Sequence, residues 1–176
     1  MSGETLTTII AIFLAAILIG IFPMMAIADR NDDISQLAVQ SAVSDFIDTV
    51  KKTGKITVDN YQNLKTTLYA TGNTYDVAIE VQKLDENPSK KTTQSNPTKI
   101  GENIYYSVYT SQIEKELEES SKGIYAMKEG DKITVTVTNT NSTIAQSLKN
   151  FFYGLAGNNS YSISSTQTGM ITVSGS

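Results

Sequence analysis

The 176-residue chain contains neither cysteine nor histidine, which removes disulfides, lipoprotein anchoring, thiol nucleophiles, Cys-based zinc sites and every catalytic triad that uses imidazole. Its net charge is −4 and its pI about 4.8, with acids and bases interspersed, so it lacks the concentrated basic face that nucleic acid requires. Once an apolar N-terminal stretch is set aside, the remaining length suits one soluble domain and leaves no room for a second independent core.

Residues 1–4 read as a short leader, and the next 24 residues, 5–28 (TLTTIIAIFLAAILIGIFPMMAIA), carry no formal charge. At about 1.5 Å per residue a helix of this length spans roughly 36 Å, enough to cross a hydrocarbon core of about 30 Å. Nothing downstream is apolar enough to cross again, which predicts a single membrane pass with about 150 residues in water on one side. No Lys or Arg precedes the run, and it exceeds the apolar core of about 7–15 residues found in secretory signals; Ala26-Ile27-Ala28 does satisfy a small-x-small pattern, so cleavage there stays open. Charge bias sets the orientation only weakly, with Arg30 among the acids Asp29, Asp32 and Asp33; this acid-rich collar is more compatible with an outside location. Pro23 lacks an N–H and is expected to kink or open the helix locally, and Gly20 adds pliancy. Gly and Pro are common in membrane helices in any case; the alternative reading is a flexible point that would let a subunit adjust between a bilayer and a packed assembly.

An amphipathic continuation is predicted over 29–53. Segment 34–50 (ISQLAVQSAVSDFIDTV) has no Pro or Gly and ends in Lys51-Lys52-Thr53-Gly54, a basic last turn followed by a C-terminal glycine. At 100° per residue, Ile34, Leu37, Ala38 and Ser41 fall on one side, with Val39, Val43, Phe46, Ile47 and Val50 nearly opposite. The stripe changes face, which predicts that the membrane-proximal turns meet neighbouring chains while the distal five residues pack onto the chain's own head. Asp29, Asn31 and Asp33 open like a calcium loop, but Ile34 stands where that loop needs glycine and Gln40 where it needs glutamate. No metal or cofactor is expected, and the acids read as a hydrated collar.

The head, residues 54–176, is predicted as α+β: an antiparallel sheet and short helices, packed partly on the long helix. Apolar residues at 58, 61, 64 and 68 give a short helix closed near Gly72-Asn73, and YDVAIEVQKL gives a half-buried strand. The polar stretch 87–99, with two prolines and the cluster Lys90, Lys91 and Lys99, reads as a solvated loop. IYYSVY (104–109) is open between strand and helix start; 110–122 is helical and stops at Gly123. Ile124 to Lys128, a turn at 129–131 and KITVTVTN are expected to form a hairpin, 143–153 another helix with a sticky face of Ile144, Leu148, Phe151 and Phe152, and YSISSTQTGMITV a final hairpin or pair of strands around Thr168-Gly169. Tyr105, Tyr106 and Tyr109 suit an interface or a sheet equally. Asn141-Ser142-Thr143 and Asn158-Asn159-Ser160 match glycosylation acceptors, a pattern common by chance. Glu114, Glu116, Glu118 and Glu119 beside Lys115 and Lys122 read as a solvated helix face, and with no GxSxG, P-loop or SxxK the chain is not expected to be an enzyme.

A short polar leader, a small residue, an acid, an uninterrupted apolar helix with a late proline and an amphipathic continuation into an α+β head together resemble the type IV pilin and pseudopilin class, most closely a minor pilin or pseudopilin of the tight-adherence (Tad) kind in Gram-positive bacteria. The resemblance covers Met1 to about Val50 in architecture. It implies processing by a prepilin peptidase after Gly3, leaving Glu4 as the first mature residue, although Thr8 then stands where the family typically carries glutamate. It also implies an extracytoplasmic head, and a subunit whose partners are the membrane, other pilin-like subunits and pilus assembly machinery, joined as a homo- or hetero-oligomer through the N-terminal helix. Small residues Ala11, Ala15, Ala16 and Gly20, with Pro23, would then lie at the helix-packing surface. A permanently anchored extracytoplasmic protein and a secreted domain with an atypical signal are the alternatives.

Overall fold

The structure, a computed structural model, describes residues 3–84, 105–142, 147, 150 and 162–175. The expected loop over 87–99 with its lysine cluster, the acceptor at Asn158 and, apart from 147 and 150, the expected helix over 143–153 lie outside the described residues.

One helical rod of 51 residues, Gly3–Thr53, opens the chain. It is built as α1 (Gly3–Ala16), a π-helical turn (Ile17–Ile21) and α2 (Phe22–Thr53). The π turn falls immediately before Pro23, which sits in the first turn of α2, and the Phe22 N–H reaches back to the Ile17 carbonyl. Proline's ring crowds the carbonyl four residues earlier and supplies no N–H, so the backbone widens there rather than breaking. The far end stops where Gly54 turns left-handed (φ 67°) and its N–H caps the Val50 carbonyl at 2.8 Å. Lys51 and Lys52 meet the negative end of the helix dipole in that last turn. A Cβ at Gly54 would also collide with the backbone of Val173 and Gly175.

β1 (Lys55–Thr57) follows at once and hands over to α3 (Val58–Tyr69). Thr57 caps α3 reciprocally: its Oγ1 accepts from the Asn60 N–H at 3.1 Å, and its own N–H donates to Asn60 Oδ1 at 2.9 Å. Then come β2 (Tyr75–Leu84), β3 (Tyr105–Tyr109), α4 (Thr110–Glu119), β4 (Ile124–Ala126), β5 (Lys132–Asn139) and β6 (Ser164–Met170). The main sheet is antiparallel in the order β3-β2-β5-β6, and β1 pairs with β4 in a second, two-stranded sheet. Ile79, Val81, Ile133, Val135 and Val137 alternate inward along β2 and β5. They meet Val39, Val43, Phe46, Ile47 and Val50 of the rod in one core, to which α3 adds Leu64 and Leu68 and α4 adds Ile113 and Leu117. The molecule is an α+β head carried on a long apolar-tipped helix.

Three expectations about strands are settled or corrected. Residues 105–109 are strand, in register with 80–84 of β2. The hairpin expected between 124–128 and β5 does not form. Both edges of β5 are already taken by β2 and β6, so β4 pairs with β1, and the Met127 N–H donates to the Gly54 carbonyl at 2.8 Å. The tight turn survives, held by Asp131 Oδ2 accepting from the Lys128 N–H at 2.8 Å, but it links two sheets. The tail makes no reversal at Thr168-Gly169 either: β6 runs straight through Gly169 along β5. That glycine answers a close approach, because a Cβ there would stand 2.7 Å from Lys51 Cδ and 2.8 Å from Ile47 Cγ2.

Candidate functional site

The feature that departs most from an ordinary soluble protein is the first half of the rod. No residue of Gly3–Ala16 is buried, and the apolar window is long and apolar enough to cross a membrane. Phe13 is 67% exposed. Isolated exposed apolar residues are normal, but a continuous band of this kind marks a surface made for lipid or for another protein.

The residues singled out from the sequence fall on this rod at different depths. Gly3 begins α1 with nothing within 4 Å of where a Cβ would lie, and Glu4 sits exposed in its first turn beside the positive end of the helix dipole. Thr8, one turn on, donates its hydroxyl to the Glu4 carbonyl at 2.8 Å. Ala11, Ala15, Ala16 and Gly20 are all exposed, as is Pro23 after the π turn. Val39, Val43, Phe46, Ile47 and Val50 lie in the head core. Ile34 and Leu37 remain 57% and 65% exposed on the other side of the rod. The change of face is therefore a change of environment within one helix.

Where rod and head part, an open cleft of about 700 Å³ is lined by Ala28, Ile34, Ser35 and Ala38 of α2 and by Ala70 and Thr71 beyond α3. Its floor is polar. Asp32 and Ser35 are buried here, and Asn73 Nδ2 lies 3.5 Å from Ser35 Oγ while Asn141 Nδ2 donates to Asn73 Oδ1 at 3.3 Å. The sequence pattern reads Asp32 as part of the hydrated collar and Asn73 as the end of the short helix; the structure corrects the first, since Asp32 is buried under the head, and buries Asn73 beside it. The available signal was Asp32's place on the inward side, seven residues before Val39. Asp29, Asn31 and Asp33 are parts of a continuous helix, which at 100° per residue spreads their side chains around the axis rather than converging them as a calcium loop would.

A second polar group joins α3 to α4. Glu114 Oε1 accepts from the Tyr61 hydroxyl at 2.7 Å and from Lys65 Nζ at 3.0 Å, and the ammonium lies 4.2 Å from the centre of the Tyr61 ring. Burial, then the Glu114 carboxylate, pushes the Tyr61 hydroxyl up to about 12. The hydrogen bonds from Tyr61 and Lys65 hold the Glu114 carboxyl below its ordinary range. Burial opposes the Lys65 charge, but bonding to Glu114 and Tyr61 outweighs it and the ammonium is raised. Tyr61 is thereby held protonated, Lys65 cationic and Glu114 anionic, with each pKa moved away from pH 7 rather than toward it as a general base or a lysine nucleophile needs. On the helix face read as solvated, Lys115 and Glu119 form an exposed i,i+4 pair at 3.7 Å, whereas Glu114, partly exposed, also clamps α4 to α3. Among the described residues no group of three or more Asp or Glu is placed to hold a metal ion.

Comparison with protein-family models, with curated proteins and with solved structures finds no match for this chain.

Proposed function

We infer that the chain is a pilin-like structural subunit, a minor pilin or pseudopilin, anchored in a membrane as a single-pass protein by its N-terminal helix and assembling into, or priming, a surface filament with its head on the extracytoplasmic side. One observation carries the reading: a single helix is bare and apolar through Ala16 yet forms the spine of the head core from Val39 to Val50. A plain anchor needs only to cross the bilayer. A helix that is both the membrane segment and the spine of its own domain couples the head rigidly to whatever the apolar half packs against. When that half leaves lipid for a bundle of like helices, dispersion and close packing replace lipid contacts, and Ala11, Ala15, Ala16 and Gly20 permit close approach. The π turn ahead of Pro23 gives the rod one point of give between the two environments. The head serves as a structural module in this reading, with no catalytic role, and its partners are like subunits and the assembly machinery rather than nucleic acid.

Mass spectrometry of the mature N-terminus in cell extracts tests it. Glu4 as the first residue, together with the chain in sheared surface filaments, is the expected result. Met1 in membranes alone returns the permanently anchored reading, and Asp29 in the medium returns a cleaved signal and a secreted domain.

A further inference from the structure

β3 leaves the main sheet early. It pairs with residues 80–84 of β2 and ends at Tyr109, where the chain turns into α4, so residues 75–79 have β5 on one side and, among the described residues, no strand on the other. The Thr110 side chain covers the first vacated position: its Oγ1 accepts from the Ile79 N–H at 2.7 Å and donates to the Ile79 carbonyl at 3.3 Å. Those two bonds fix the phase of the edge. Alternate residues of an antiparallel strand turn their main-chain groups to the same side, so Tyr75 and Val77 also aim N–H and C=O away from β5. Among the described residues neither group of Val77 has a hydrogen-bond partner.

Beside this edge lies a slot of about 210 Å³, walled by Lys65 and Tyr69 of α3, Asp76 and Val77 of β2, and Thr110 and Glu114 of α4. A donor and an acceptor on one residue, repeated two residues and roughly 7 Å along, are matched by the main chain of an extended peptide, which presents the same pair at the same interval. Helices flank the slot on both sides. A single extended segment can enter it, whereas the edge of a second folded sheet would meet α3 and α4 first. Charge selects the side chains of that segment. Lys65 is already held by Glu114 at 3.0 Å, while Asp76 is exposed and forms no ion pair among the described residues.

We propose that the open edge of β2 over residues 75–78 takes up an extended, basic peptide segment of a partner protein as an added strand, bonded through its main chain to Val77 and carrying a lysine or arginine beside Asp76. Every group involved belongs to the head, so the inference stands apart from how the rod is housed.

Amide NMR of isotope-labelled full-length protein in detergent micelles, with acetyl-TVKVT-amide as the probe, tests it. Before peptide is added, the Val77 N–H is expected to exchange at least about tenfold faster than that of Ala78, whose N–H points to Thr136 of β5. Peptide is then expected to shift the amides of Val77 and Thr110 and to slow exchange at Val77 about tenfold. Of two analogues N-methylated on alternate residues, one should bind as the parent does and the other not, because only one set of N–H groups faces β2. Asp76→Lys, at an exposed position, should weaken binding about three-fold and favour the analogue with glutamate in place of lysine. Val77 as protected as Ala78 in the free protein means that the edge is already filled, and overturns the proposal. So does the absence of any shift at about 5 mM peptide, or shifts confined to other parts of the head. Equal affinity of the two methylated analogues overturns main-chain pairing. Protection at Val77 that rises with protein concentration alone makes the occupant a second copy and overturns the peptide.

Discussion

The two halves of the rod have the same backbone and opposite surroundings. From Gly3 to Ala16 no side chain is buried, whereas Val39, Val43 and Val50 are completely covered, about 35 residues along the same continuous helix. Helical hydrogen bonding is satisfied internally in both halves, so secondary structure alone does not reveal which half has found its partner. Side-chain environment does. The distal half is covered by its own chain, and the proximal half, long and apolar enough to cross a membrane, is not.

Substitution of matched residues in the two halves tests that contrast most strongly. Phe46, 5% exposed, lies in the shared core, and Phe46→Ala is expected to destabilise the head by about 3–5 kcal/mol. Phe13→Ala, at a position 67% exposed, is expected to leave head stability unchanged while weakening association between chains. Urea unfolding of detergent-solubilised protein, followed by tyrosine fluorescence, checks both; a comparable loss for the two variants would mean that the proximal half packs on the head after all.

Gly169→Ala is expected to have the next largest effect. The added methyl must displace Lys51 and Ile47 where β6 meets the rod, which overpacking places at about 1–3 kcal/mol. Thermal unfolding measures it, and Gly72→Ala is a useful contrast. There the space is open and the strain is only that of φ 81°, so a larger loss at 72 would show that steric contact along the rod is not what Gly169 answers.

The same contact explains what could be read from the sequence and what could not. The rod, its end at Gly54, α3, β2, α4 and β5 follow from local signals: charge-free length, a glycine cap, 3.6-residue spacing and alternation. Pairing does not follow from them. Alternation in KITVTVTN shows which residues of β5 face inward, but not that β2 and β6 occupy both its edges and send β4 to β1. A glycine between two apolar runs looks the same whether it supplies a turn or clears space for Ile47. β1 was not anticipated because three residues with one buried side chain, Ile56, form no pattern. Asp32 was missed for a related reason: an acid on an otherwise apolar face looks like the hydrated collar until the head is placed over it.

A smaller effect probes how the rod seals the sheet. Gln36 of α2 donates through Nε2 to the Ser164 carbonyl at 2.7 Å and accepts through Oε1 from its N–H at 3.1 Å, so one amide stands in for a missing strand at the start of β6. Gln36→Ala is expected to cost about 1 kcal/mol and to speed hydrogen exchange at Ser164 more than at the β5-paired interior of the sheet. Uniform acceleration across the sheet would instead make Gln36 a contributor to global stability.

The smallest expected effect lies away from the rod, at the clamp between α3 and α4. Glu114 has its carboxyl held below the ordinary value of 4.5 by the Tyr61 hydroxyl and the Lys65 ammonium. A carboxyl whose folded value is depressed adds stability above its unfolded value, and that stability is lost as pH falls through the folded one. The head should therefore weaken on acidification below 4.5. Because Lys65 and Glu114 are 38% and 40% exposed, solvent screening limits the contribution to under about 1 kcal/mol. Glu114→Gln keeps the shape and removes the titration, so its stability between pH 3 and 6 should fall less steeply than that of the parent chain, with the difference diminished in high salt. Identical slopes would place the acid sensitivity outside this clamp.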